Sequence, residues 1–261
     1  MVIRPLVIAV AAGLSGMSSA QTGSFLENGR TPAPAAVQAD KPEVTPELRG
    51  DIFMAKKQYR EAVEAFRQGS SKDPVLRNKT GIAYHQMLQL DQALKSYQEA
   101  VKLKKDYLEA INNIGTIYYA RKSFRRSITY YERALKLEPH TERSAAVYNN
   151  LGTAYFARKQ YKQAFDAFQT ALSLDPDVNE HNSGYGVMLE ERSVEERAKY
   201  HYYWAKTYAK NGRNELALQY LRKALEEGFK EKKQLETDPE FASLRDTKEF
   251  KELLALEPRV L

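Results

Sequence analysis

The chain has 261 residues, with 40 lysines and arginines against 34 aspartates and glutamates, a formal net charge of +6 and no cysteine. Without cysteine there is no disulfide, no thiolate nucleophile and no thiolate-bound zinc, so stability has to come from packing. The basic excess is small: it favours acidic partners or anionic surfaces only weakly, and reads as an ordinary solvated surface of mixed sign.

Residues 1–20 read as an export signal. Arg4 is the only charge, the apolar run Leu6 to Leu14 follows, and Ser18-Ser19-Ala20 offers small residues for cleavage before Gln21. The run is shorter than the roughly 20 residues a membrane-spanning helix needs. No later stretch is apolar enough to cross a bilayer, so the expected location is exported, periplasmic or secreted. The alternative is an uncleaved signal that anchors the N-terminus to the membrane. Residues 21–45 are rich in Ala, Pro, Thr and Gln, with Pro32, Pro34 and Pro42, and read as a flexible linker. Thr45-Pro46-Glu47 then has the signs of a helix start: an N-cap, a proline at the first helical position and an acid in the first turn.

From there one pattern recurs. Its clearest copy is Ile111-x2-Ile114-Gly115-x2-Tyr118, then Ser127-x3-Tyr131, Ala134 and Pro139. The next is Tyr148-x2-Leu151-Gly152-x2-Tyr155, Ala164-x3-Phe168, Ala171 and Pro176. Earlier copies are Gly50-x2-Phe53, Ala62-x3-Phe66 and Pro74, then Gly81-x2-Tyr84, Ala93-x3-Tyr97 and Ala100. A later one is His201-x2-Trp204-Ala205-x2-Tyr208, Ala217-x3-Leu221 and Ala224. From Gly50 through Gly81, Gly115 and Gly152 to Ala205 the steps are 31, 34, 37 and 53, and Ala62, Ala93, Ser127, Ala164 and Ala217 give the same four. Two sets of landmarks that move together mean intact helix pairs with length changes between them.

Within a unit, Ile111, Ile114 and Tyr118 share one helix face. A glycine among them costs about 1 kcal/mol relative to alanine in a helix. Close approach of the second helix is the expected return, with Tyr131 filling the space that Gly115, Ser127 and Ala134 leave.

The pattern resembles the tetratricopeptide repeat, a helix–turn–helix unit of about 34 residues. The resemblance implies an all-α fold: an α-solenoid of antiparallel helix pairs, wound as a right-handed superhelix, with a C-terminal capping helical segment. The units fall at 46–73, 74–107, 108–141, 145–178 and 198–231, with an insertion at 179–197 and a cap at 232–261. Ser193 and Glu196 have capping-box spacing, so the first helix of the fifth pair is expected to begin near Ser193. In the cap, Phe241, Leu244, Phe250, Leu253 and Leu254 are expected to cover the last pair, as solenoid ends require.

The resemblance also places the first helix of each pair along a concave groove. Carried over by position, the peptide-groove residues are Asn78, His85, Asn112, Asn113, Thr116, Tyr119, Asn149, Asn150, Thr153, Phe156, Tyr202 and Lys206, with Ile82 among them. A row of asparagine amides can donate to and accept from an extended peptide backbone; the other use of such a row is structural. Tyr119, Phe156, Tyr202 and Tyr203 neighbour the packing aromatics without duplicating their roles. Some members of the family clamp a C-terminal carboxylate with lysines and an asparagine. Here Asn78 and Asn112 stand where that clamp has lysine, and Ile82 where it has asparagine, so the clamp is absent.

Nothing points to catalysis or to a cofactor. His85, His140, His181 and His201 are far apart with no i, i+4 partner, against the three or four convergent ligands zinc needs. Gly184-x-Gly186 follows no strand and is not a dinucleotide fingerprint. The expected function is a non-enzymatic scaffold that binds a peptide segment or a partner protein and no nucleic acid. The alternative is a structural component of a cell-envelope assembly. The oligomeric state is open. Mass spectrometry of the exported protein is expected to find Gln21 at the N-terminus; a chain that keeps Met1 contradicts the export reading.

Overall fold

The computed structural model describes residues 44–178 and 193–255, within a compact unit that runs from Val44. The expected signal, nearly all of the linker, most of the insertion and the last six residues lie outside the described residues.

The described residues form twelve α-helices and one 3-10 turn, with no strand. Ten helices pair in sequence. The pairs are α1 (Pro46–Ala55) with α2 (Tyr59–Arg67), α3 (Pro74–Gln86) with α4 (Leu90–Leu103), α5 (Leu108–Ala120) with α6 (Phe124–Leu135), α7 (Glu142–Ala157) with α8 (Tyr161–Leu174), and α9 (Val194–Lys210) with α10 (Asn214–Glu226). Each second helix then packs on the first helix of the next pair. Successive first helices also touch, α3 with α5 and α5 with α7, so each pair leans on the next, which is the arrangement of a solenoid.

Helix ends follow from local chemistry. The Thr45 hydroxyl accepts from the Leu48 amide at 3.1 Å, with Pro46 at the first position. Asp73 accepts from Val75 at 2.7 Å ahead of Pro74. Ser193 accepts from Glu196 at 3.2 Å and starts α9 where its spacing predicts. The three residues that separate the third and fourth units are absorbed as helix: α7 has 16 residues where α3 and α5 have 13.

Inside each pair one contact recurs. A β-carbon added at Gly81 meets the Tyr97 ring at 2.6 Å, at Gly115 the Tyr131 ring at 2.5 Å, and at Gly152 the Phe168 ring at 2.6 Å. Gly50 lies under Phe66 in the same way. The ring of the second helix thus lies on bare backbone of the first. Phe66, Tyr97, Tyr131 and Phe168 are all buried, and each such ring contributes about 1.5–3 kcal/mol of apolar burial. The fifth pair has Ala205 with Leu221, a β-carbon against a smaller side chain, both fully buried.

The turns between paired helices also share a conformation. Lys57, Leu88, Lys122, Lys159 and Gly212 occupy the same turn position at φ 56° to 71°. Only glycine takes this left-handed conformation without steric cost.

After α10, the chain forms α11 (Lys232–Thr237), a 3-10 turn (Pro239–Phe241) and α12 (Lys248–Leu254). Pro239 stops α11 at Thr237 and opens the 3-10 turn. Leu235, Phe241, Leu244, Phe250 and Leu253 are buried against the fifth pair. They close the end of the stack.

Replacing Gly152 with leucine is expected to destabilise the chain by about 1–3 kcal/mol, because the ring of Phe168 has no room to give. An unchanged melting temperature contradicts this packing.

Candidate functional site

The first helices α3, α5, α7 and α9 carry all twelve residues expected on the peptide groove. Seven of them are buried: Asn78, Thr116, Asn149, Asn150, Thr153, Phe156 and Tyr202. His85, Asn112, Asn113, Tyr119 and Lys206 are half-buried.

The asparagines bond to one another. The Asn113 amide donates to Asn78 Oδ1 at 3.0 Å, and the Asn150 amide donates to Asn112 Oδ1 at 3.1 Å. In both, the residue two before the contact glycine of one pair reaches the residue three before that glycine in the preceding pair. Lys79 follows the same register. Its ammonium lies 2.7 Å from Glu47 and 2.6 Å from Asp51. Burial alone lowers the Lys79 pKa, but the hydrogen bonds to Asp51 and Glu47 outweigh it and hold the group above its ordinary value. Three successive junctions are thus tied by a polar rail along the first helices. The sequence carried the signal: Glu47 and Lys79 are an acid and a base at the two rail positions.

The fourth junction differs. Tyr203 stands at the rail position and stacks on Tyr161 with ring centroids 5.3 Å apart. Phe156 packs edge-on against Tyr161, Tyr200 and Tyr203. Tyr202 stacks on Phe229 at 4.4 Å and donates its hydroxyl to Asp238. Phe156 and Tyr202, read from sequence as lying apart from the packing aromatics, are therefore core residues of this junction. Lys206 pairs with Asp238 at 3.3 Å and Glu240 at 3.4 Å, so the cap meets α9 much as Lys79 meets α1.

The threonines turn inward as well. Thr116 and Thr153 hydroxyls donate to the Asn112 and Asn149 carbonyls one turn back, at 3.2 Å and 2.9 Å. Tyr131 donates to the Thr116 hydroxyl at 3.3 Å, and burial raises the phenol pKa well above its usual range.

Asn112 uses its oxygen and Asn113 its amide nitrogen; among the described residues the Asn112 Nδ2 and the Asn113 Oδ1 have no hydrogen bond. On the same two first helices, α3 and α5, His85 and Tyr119 occupy equivalent positions, four residues beyond their glycines. Burial lowers the His85 pKa and keeps the imidazole neutral at pH 7. Tyr119 rests on Phe124 at 5.1 Å. His201 on α9 bonds to Glu227 at 2.8 Å. Among the described residues, no group of three or more His, Asp or Glu side chains is placed to hold a metal ion, and no helix is long and apolar enough to cross a membrane.

Asn113→Ala is expected to lower stability by about 1–3 kcal/mol in a urea titration, because it strips the donor from buried Asn78. No shift in the midpoint means the rail does not join the pairs.

Comparison with known proteins places this arrangement. Family models described as tetratricopeptide repeat match residues 106–177 and 198–227, and one described as TPR repeat matches 81–121. The mouse protein O-mannosyl-transferase TMTC1 is 36% identical over 86 residues, which is 31% of this chain and 9% of that protein. Human tetratricopeptide repeat protein 6 is 34% identical over 62 residues, 24% of this chain and 12% of that one. The chain spans only about a tenth of the length of these curated relatives. Among solved structures, a crystal structure of MamA aligns with a TM-score of 0.46 at 20% identity, covering 68% of this chain and 93% of the other. The second TPR domain of human RPAP3, solved with an HSP70 peptide, aligns at 0.39 and 21% identity over 42% of this chain and 92% of that domain.

Proposed function

We propose that this chain, which belongs to the tetratricopeptide-repeat family, is a non-enzymatic scaffold that holds a peptide segment or partner protein against the face of α3, α5 and α7. The observation that carries this reading is the pair of half-used amides on α5. Asn112 and Asn113 each tie one end to a neighbouring first helix and keep the other end for a ligand. Between them they offer one donor and one acceptor to an extended backbone. Further along α5 and α3, Tyr119 and His85 add ring surface, that of Tyr119 held by Phe124. Fixed side chains lose little entropy on binding. The export reading of residues 1–20 puts the partner in the envelope or outside the cell.

One observation favours the second reading, a permanent assembly component. Ile52 on α1 is 40% exposed, whereas Ala83, Ile117, Ala154 and Thr207, at the same place in the other first helices, are buried by the preceding pair. Leu48, one turn earlier, is 52% exposed. The α1 end of the stack therefore presents apolar surface of the kind that neighbouring pairs cover elsewhere.

The test is capture of envelope proteins by the purified chain, followed by His85→Ala with Tyr119→Ala. Neither residue belongs to the rail, so circular dichroism is expected to stay helical while capture weakens at least about tenfold, roughly 1.4 kcal/mol. A matched change on the second helix α4, Lys95→Ala with Gln98→Ala, is expected to leave capture alone. Loss in the α4 variant with full capture by the first-helix variant removes the site from this face.

A further inference from the structure

The charge that looked diffuse along the chain is gathered by the fold. First helices lie side by side, so the five turns that join each to its second helix fall along one edge of the stack. Arg121 in the third turn pairs with Asp91 in the second across that edge. The thirty residues at 56–61, 87–92, 121–126, 158–163 and 210–215 hold twelve lysines and arginines and three acids, a net +9; the chain carries +6, so the remaining 231 residues sum to −3. The opposite edge, formed by the links at 68–73, 104–107, 136–141 and 175–178, has four bases and five acids, a net −1. We propose that the basic edge docks on the surface of an anionic lipid bilayer.

Three features of the edge argue for a ligand. Lys56, Lys57, Arg60, Arg125, Lys159 and Lys162 are exposed and have no ion pair among the described residues. Mutual repulsion along the strip is only partly relieved, by the pairing of Arg121 with Asp91 and of Arg213 with Asp177. Next, Lys57, Lys122 and Lys159 hold the left-handed turn position, at φ 58°, 56° and 59°, where the fifth turn has Gly212. A residue that costs strain, repeated at equivalent exposed places, is kept for its charge and not for its backbone. Third, the second turn puts Leu88 at that position, 71% exposed and the most exposed large apolar side chain among the described residues.

Leu88 and the aromatics decide between two anionic surfaces. Nucleic acid without sequence preference is held by basic grooves together with aromatic faces on which bases stack. On this edge the rings are already used: Phe124 packs on Tyr119 at 5.1 Å and Tyr161 stacks on Tyr203 at 5.3 Å, while Tyr59 is half-buried. A bare leucine among lysines has no role on a phosphate backbone. At a bilayer surface it enters the boundary between headgroups and acyl chains while the lysines meet the anionic headgroups. Docking along this edge leaves the first-helix face open, so the two surfaces can work together.

The experiment is co-sedimentation of the full chain with vesicles of phosphatidylcholine, and of phosphatidylcholine with about one third phosphatidylglycerol. Binding is expected to be stronger to the anionic vesicles and to fall with added salt. The triple variant Lys57→Gly, Lys122→Gly, Lys159→Gly is expected to lose at least about tenfold of that binding. Because glycine accepts the turn conformation freely, the same variant is expected to melt no lower than the parent, which separates lost charge from lost fold. A matched loss of charge on the other edge, Lys72→Ala, Lys104→Ala, Lys105→Ala, is expected to keep the binding. Leu88→Gly is expected to weaken the part that survives high salt. Equal binding to neutral and anionic vesicles overturns the proposal, and so does equal loss in both triples, which reduces the effect to net charge. Binding of a single-stranded oligonucleotide that the glycine triple abolishes, with no vesicle binding, moves the edge to nucleic acid and also overturns it.

Discussion

Everything in this stack depends on an aromatic ring resting on a glycine. Two helices of a pair can approach only if one gives up a side chain at the crossing, and the vacated space is then filled from the other helix. Gly50, Gly81, Gly115 and Gly152 vacate it, and Phe66, Tyr97, Tyr131 and Phe168 fill it. The contact fixes the rotation of each first helix about its axis. That rotation determines which residues face the preceding pair, which face the partner and which reach solvent. The fifth pair reaches the same end with Ala205 and Leu221, a larger residue on one helix and a smaller one on the other.

With the rotation fixed, the polar residues sort themselves. Those two and three positions before each glycine point along the stack and bond from pair to pair, as salt bridges at Glu47 and Lys79 and as amides at Asn78, Asn113, Asn112 and Asn150. A buried polar group left alone is costly, so the rail penalises every slipped register as well as joining the pairs. The residue four beyond the glycine, His85 on α3 and Tyr119 on α5, stays half-buried at the margin of this packing. The turns, with their lysines, run along one edge. Contact between paired helices, bonding from pair to pair and the gathering of basic charge therefore fall to different positions of the same repeat.

Much of this was legible in the sequence, and the rest was hidden for identifiable reasons. The glycine-to-ring spacing showed the pairs, and Thr45 and Ser193 marked helix starts that the structure reproduces. The asparagines were visible as a row, but their partners lie 35 and 38 residues away; periodicity within a helix says nothing about a bond between units. Phe156 and Tyr202 became core because the fourth junction, which follows the insertion, replaces the amide rail with aromatic packing, and because the cap closes over Tyr202. The extra turn of α7 and the break at Pro239 depend on how links are absorbed, which composition does not determine. The basic edge was invisible as a run, since its members come in groups of four or fewer separated by tens of residues.

The most direct test of the ring-on-glycine account is a double-mutant cycle at the fourth pair, Gly152→Ala and Phe168→Leu, read by denaturant unfolding. Each change alone is destabilising on this account: the first drives a β-carbon into the ring, and the second opens space above bare backbone. Together they recreate the combination that the fifth pair uses, so the double variant is predicted to be more stable than the sum of the two losses implies, with a coupling of about 1 kcal/mol or more. Strict additivity would contradict the claim, because it would show that the glycine and the ring do not act on each other.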